Sequence, residues 1–231
     1  MADQYYKLSD GYVLALEAES KFPPLTQALK EPNGLIAIGG DLSSKRLLAA
    51  YSHGVFPWFS EDDPIMWWSP NPRMVLFPTE LKVSSSLKKT CKKNPYHLSI
   101  NTAFREVISA CSQVKRPDQT GTWINQDMID AYCELHDLGH AVSSESWHDN
   151  QLVGGCYGVI IGQMFYGESM FHTHTDASKI AFVNLVNYLK TKNVGMIDCQ
   201  MKTPLLTRFG GREIPREVFS QTLSKLIHLT A

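Results

Sequence analysis

The chain has 231 residues, 43% apolar and 19% charged, with a formal net charge of −1, long enough for one large domain, or a small one joined to one of ordinary size, to bury a real core. The near-neutral balance excludes a protein held to nucleic acid by overall charge, so such a partner needs a local basic patch. No run of about 18 apolar residues occurs, the opening MADQYYKLSDGY lacks the pattern of a secretory signal, and the five cysteines include no CxxC pair, so the expectation is a cytoplasmic protein with no membrane partner, no disulfide framework and no thiolate zinc site.

Residues 1–75 are dense in proline, turn residues and tryptophan, as in EPNGLIAIGGDLS, GVFPWFSEDDP and MWWSPNPR. This predicts a small domain of short helices and loops rather than a regular sheet. Within it Asp41 or Ser43 caps a helix over Ser43 to His53, with Leu47, Leu48 and Tyr51 at helical spacing. Beyond Pro72 the period changes: RMVLF reads as a strand, SSLKKTCKK as a helix and YHLSI as a strand. TAFREVISACSQV is a helix with Phe104, Val107, Ile108 and Cys111 on one side, and Gln126 to Leu138 is another, ended by Gly139. From Ala141 to Phe171 the pattern predicts three antiparallel strands, turned at Asp149-Asn150 and at Gly162-Gln163. A helix over Asp176 to Lys192, the strand VGMIDCQ and a last helix from about Arg216 to Leu229 complete an α+β order.

In SSSLKKTCKKNP, Lys88, Lys89, Lys92 and Lys93 share one helix face opposite Leu87 and Cys91. Such a face is solvated by default; with a second sign of nucleic acid it becomes a phosphate contact. Trp58, Trp67, Trp68 and Trp123, all in Pro- or Gly-bearing segments, supply that sign if their indoles are exposed for stacking, while core anchoring is the alternative for Trp67 and Trp68. In FYGESMF, Glu168 sits inside an apolar strand, where a carboxylate is costly without a cation or donors. It either closes an internal ion pair, with Lys179 or Arg73, or forms an anionic pocket for a cationic substrate group. Near the C-terminus, GMIDCQMK poses Cys199 as a nucleophile between Asp198 and Gln200. Strand alternation puts Asp198 and Gln200 on one face and Ile197 and Cys199 on the other, so Cys199 is expected to pack away from the polar pair as a structural thiol. His136 and His140 stand four apart without a third ligand, and Gly154, Gly155 and Gly158 do not form a dinucleotide loop, so neither metal nor nucleotide cofactor is expected.

Together GLIAIGGDLS, YSHGVFPWF, PIMWWSPNPR, GTWIN, AYCELHDLGHA, LVGGCYGV, YGESMF, ASK and IDCQ, collinear from Gly34 to Gln200, resemble the leucyl/phenylalanyl-tRNA-protein transferases. The resemblance implies a small N-terminal domain over 1–71 and, over 72–231, a larger acetyltransferase-like (GNAT-type) domain with a mainly antiparallel sheet. It implies transfer of Leu or Phe, with Met a further option, from aminoacyl-tRNA to proteins beginning with Arg or Lys, marking them for degradation, without cofactor or metal. Glu168 would meet the acceptor's cationic group, and Gln200, oriented by Asp198, would bond the attacking amine or the tetrahedral intermediate; the proton would leave through Asp198, water or the tRNA ribose. Tyr51, Trp58, Trp123 and Tyr132 would hold the terminal adenosine. Cys156, Phe165, Phe182, Leu185 and Ile197 would line the amino-acid pocket, and the lysine face would meet acceptor-stem phosphates. Cys156 stands where methionine is familiar, Phe182 where leucine occurs, Leu205 where histidine is frequent, and Ser85 where a basic residue can extend the lysine cluster. An acyl-CoA-dependent N-acyltransferase is the alternative enzyme, though no [RQ]xxGx[GA] stretch opens a helix here; a non-catalytic RNA-binding module would leave Glu168 and Asp198 without a role.

Overall fold

Short strands carry the first part of the chain. The computed structural model describes residues 4–8, 11–114 and 122–229; Gly121 of GTWIN lies outside them. β1 (Gln4–Leu8), β2 (Gly11–Leu16), β3 (Leu35–Gly39), β4 (Phe56–Pro57) and β5 (Met66–Trp68) form one sheet in the order β1-β2-β3-β5-β4. This corrects the expectation of helices and loops. Proline and glycine punctuate this segment, but they do so between strands of two to six residues, whose alternation is too brief to register as a period. The one long element is α1 (Ser44–His53), capped by the Ser43 hydroxyl accepting from Arg46 N at 3.3 Å and ended by Gly54 in the left-handed region, φ 81°.

The second sheet begins with β6 (Arg73–Leu76). It is followed by α2 (Ser85–Lys93), β7 (His97–Ile100), α3 (Phe104–Ser112), α4 (Gln126–Asp137), β8 (Ala141–His148), β9 (Gln151–Ile161) and β10 (Met164–His172). α5 (Ala177–Thr191), β11 (Met196–Gln200), α6 (Pro204–Arg208), β12 (Arg212–Ile214) and α7 (Arg216–Leu226) complete the chain. The sheet order is β12-β6-β11-β10-β9-β8-β7, antiparallel everywhere except β10 against β11. The α+β class and the mainly antiparallel larger sheet are therefore as the sequence predicts.

Local chemistry explains the elements that position the site. The β8–β9 turn uses Asp149 and Asn150 at φ 49° and 60°, the paired left-handed conformation a tight hairpin needs. β9 carries glycine where neighbours come close: a Cβ on Gly158 would lie 2.0 Å from the Tyr166 carbonyl oxygen, and one on Gly154 2.6 Å from the Ala177 Cβ. α5 buries Ile180, Phe182, Leu185, Val186 and Leu189 against one side of the sheet, in a cluster with Cys156, Phe165 and Ile197. α1, α3 and α4 bury Tyr51, Phe104, Ile108 and Tyr132 on the other side, with Tyr157, Val159 and Tyr166. Burial of such side chains contributes about 1.5–3 kcal/mol each.

Candidate active site

The site opens where two strands part. β10 and β11 pair at Met164 with Met196, Phe165 with Ile197 and Tyr166 with Asp198. Just beyond, each strand carries one extra residue against its outer neighbour: Glu168 lies between the β9-paired Gly167 and Ser169, and Cys199 between the β6-paired Asp198 and Gln200. A bulge bends and twists its strand. Two at the same level open the seam, and Gln200 completes the bend at φ 55°. The resulting cavity, about 470 Å³, is lined from both faces of the sheet. Cys156, Phe165, Phe182, Leu185 and Ile197 make its apolar wall on the α5 side, joined by Met170, Leu205 and Leu206. Trp58 and Trp123, both half-buried, flank it on the other side, and Glu168 and Gln200 contribute polar groups.

Among the described residues no cation forms an ion pair with Glu168. Its Oε1 accepts from the Tyr51 hydroxyl at 2.7 Å and from Gln200 Nε2 at 3.4 Å, and its Oε2 accepts from the Tyr132 hydroxyl at 3.4 Å. The two tyrosine hydroxyls also bond each other, so the three contacts form together only when Glu168 itself carries a proton. Burial pushes the carboxyl up to about 8, outweighing the Tyr51 and Tyr132 hydrogen bonds that favour its charged form. The ion pair expected with Lys179 or Arg73 does not form, because Lys179 bonds Asp176 at 2.6 Å and Arg73 is committed to Asp198. Burial likewise raises both tyrosine hydroxyls well above their ordinary range, so they act as donors.

Asp198 is held quite differently. Arg73 Nε and Nη2 donate to its two oxygens at 2.8 and 2.7 Å, and the Gln200 backbone N–H donates at 2.9 Å. Both side chains of the pair are fully buried, and the guanidinium lies between the rings of Phe56 and Phe219, 4.8 and 4.5 Å from their centroids. This corrects the single-face reading of GMIDCQMK. Asp198 points away from the cavity into the Arg73 pair, while Ile197, Cys199 and Gln200 all line it, because the cavity spans the opened seam rather than one face. Asp198 orients Gln200 through its backbone and is too enclosed to take a proton from a substrate. Cys199 is nevertheless no activated thiol: burial raises it far above the ordinary cysteine range, which suppresses the thiolate.

The remaining expected residues divide. Tyr51 and Tyr132 have no exposed surface, so their rings offer no face to a base; their hydroxyls serve Glu168 instead. Trp67 is core, its Nε1 donating to Gly39 O at 2.9 Å, and Trp68 donates to Trp58 O at 2.6 Å while its ring meets Trp58 edge-on at 5.7 Å. Lys88, Lys89, Lys92 and Lys93 are all exposed on α2, with Leu87 buried beneath. His136 Nδ1 bonds Ala141 O and its ring stacks on Phe104 at 4.4 Å. Among the described residues no group of three or more His, Cys, Asp or Glu side chains is gathered as for a metal ion, and no helix is long and apolar enough to cross a membrane. Sequence reasoning missed Arg73 as the partner of Asp198 and Met170 and Leu206 as wall residues; no local signal marks them.

A family model described as Leucyl/phenylalanyl-tRNA protein transferase matches residues 75–224, and the model of that family's N-terminal domain matches residues 40–71. The chain belongs to this family. A relative from Chromobacterium violaceum, named leucyl/phenylalanyl-tRNA–protein transferase, is 56% identical over 210 residues, which cover 91% of this chain and 90% of that protein. Among solved structures, L-PGS from Bacillus licheniformis is similar with a TM-score of 0.46 and 10% identity, over 97% of this chain and 85% of that one. A GCN5-related N-acetyltransferase from Kribbella flavida is similar with a TM-score of 0.36 and 7% identity, over 72% and 59%. As a member of the leucyl/phenylalanyl-tRNA protein transferases the chain is an aminoacyltransferase, and its seam cavity brings together all five residues expected at the amino-acid pocket with Glu168 and Gln200.

Proposed function

We propose that this protein moves leucine or phenylalanine from aminoacyl-tRNA to the α-amine of proteins beginning with arginine or lysine, marking them for degradation in the cytoplasm. The observation that carries the reading is the cavity itself, an apolar chamber with a carboxylate and an amide at its open seam. Its Phe, Leu and Ile wall suits Leu or Phe and rejects charged side chains strongly, while separating Leu, Phe and Met only modestly. Trp58 and Trp123 hold the terminal adenosine by stacking. The four lysines of α2 meet acceptor-stem phosphates, which fix orientation without reading sequence. Glu168 meets the acceptor's cationic group, and Gln200 bonds the attacking nitrogen. We assign residues 1–71 to a small N-terminal domain and 72–231 to the catalytic one; the two sheets divide between the same spans.

An aminoacyl ester is already activated, so positioning and charge stabilisation suffice and no nucleotide is consumed. The test is transfer of labelled Leu or Phe from charged tRNA to peptides beginning with Arg, Lys or Ala. Transfer to the Arg and Lys peptides alone is expected; transfer that requires acyl-CoA in place of charged tRNA contradicts the reading. Changing Lys88, Lys89, Lys92 and Lys93 to Ala is expected to weaken tRNA binding and flatten its salt dependence by up to about four contacts.

A further inference from the structure

The transfer reading leaves one proton without a carrier. When an amine attacks an ester, its nitrogen must shed a proton and the departing ribose oxygen must gain one. Asp198 is unavailable, since Arg73 and the Gln200 N–H occupy its oxygens away from the cavity. Among the described residues of the cavity wall there is no Asp, His, Lys or Arg, and Glu168 is the one carboxylate. It stands at the mouth of the seam beside Gln200.

Resting on that reading, we propose that Glu168 shuttles the proton: its carboxylate takes one from the attacking α-nitrogen and returns it to the leaving ribose oxygen. The free amine forms the N–C bond to the ester carbonyl carbon as Oε1 or Oε2 accepts one of its two hydrogens. The C–O bond to the ribose then breaks, the ribose oxygen takes that hydrogen, and Glu168 is again a carboxylate. One amide and one ribose hydroxyl result, with no net proton change. Gln200 Nε2 and the hydroxyls of Tyr51 and Tyr132 hold the carboxylate in place while it cycles. A shuttle works best when its pKa lies near the working pH, and burial has moved this carboxyl to about 8. The groups facing it are Tyr51 of α1, Tyr132 of α4, and Asp198 of β11 with its Arg73 partner on β6; Tyr157 of β9 and Cys199 of β11 line the same cavity. The charges of Asp198 and Arg73 act on it in opposite directions.

The experiment is single-turnover transfer from labelled aminoacyl-tRNA to an Arg-initial peptide, both saturating, from pH 6 to pH 9, in wild type and Glu168→Gln. Two groups must be deprotonated in the wild type, the acceptor amine, ordinarily near 7.7–8.0, and Glu168. Its rate is therefore expected to rise more steeply than tenfold per pH unit below about pH 7. Glu168→Gln is expected to transfer about 100-fold more slowly at pH 8, to rise only about tenfold per pH unit, and to keep its tRNA affinity, with any rise in acceptor KM smaller than the fall in rate. Loss through KM alone, or a slower variant with the wild-type steepness, overturns the shuttle and leaves a gripping or structural role. A wild type that transfers at no pH overturns the transfer reading as well. As a check independent of Glu168 substitution, Tyr51→Phe removes a donor to the charged form and is expected to move the acid limb up by about one pH unit; an unmoved limb counts against the shuttle. Thermal melts and tRNA binding verify that both variants are folded.

Discussion

Two carboxylates stand on neighbouring strands at the level where β10 and β11 part, and they live in opposite surroundings. Asp198 is met by a guanidinium through two hydrogen bonds and by a backbone N–H, with no exposure. Glu168 is met by two hydroxyls and an amide, faces a cavity, and is pushed up to about 8. A buried acid becomes an anchor or a reactive group according to whether a cation is built against it. Here one arginine decides: Arg73 serves the acid that fixes the bulge of β11, and the other acid is left able to change its charge.

Removal of Arg73 has the largest expected effect. Arg73→Ala strands Asp198 as a buried, unpaired charge, and the expected cost is about 3–5 kcal/mol of folding stability, read by urea or thermal unfolding. A loss no larger than that of an exposed substitution would mean that the pair anchors nothing. The pH dependence of stability sharpens the other side. The folded carboxyl of Glu168 titrates at about 8, whereas the unfolded one titrates near about 4.3. Between these values the folded chain binds a proton that the unfolded chain does not, so stability falls as pH rises through this window. The melting temperature of wild type relative to Glu168→Gln is accordingly expected to drop from about pH 5 to about pH 9. The smallest effect is at Cys199, the extra residue of the β11 bulge. Cys199→Ala is expected to transfer within about threefold of wild type, under about 1 kcal/mol of barrier; complete loss with the fold intact would restore the thiol as a participant.

Much of the larger sheet is legible in the sequence because its elements are long and regular. α3 spaces Phe104, Val107, Ile108 and Cys111 along one face, and all four are buried; Asp149-Asn150 names its turn through left-handed preference. The apolar pocket residues are legible through family resemblance, and the structure gathers them. The N-terminal sheet is not legible, since β3 and β5 find each other across residues that include all of α1. Nor are the bulges: nothing in YGES or IDCQ announces an inserted residue, yet the insertions open the cavity that Cys199 lines and Asp198 does not reach. The partners of the two acids lie too far along the chain to read from local pattern: Arg73 is 125 residues from Asp198, and Tyr51 is 117 from Glu168.

The charge of the Glu168 carboxyl can be followed directly. Protein labelled with carbon-13 at the glutamate side-chain carboxyl, assigned by comparison with Glu168→Gln, is titrated from about pH 4 to about pH 10 by NMR. One glutamate resonance is expected to have a midpoint near 8, moving upward in Tyr51→Phe. A Glu168 resonance that titrates with the exposed glutamates, near about 4.3, would contradict this expectation.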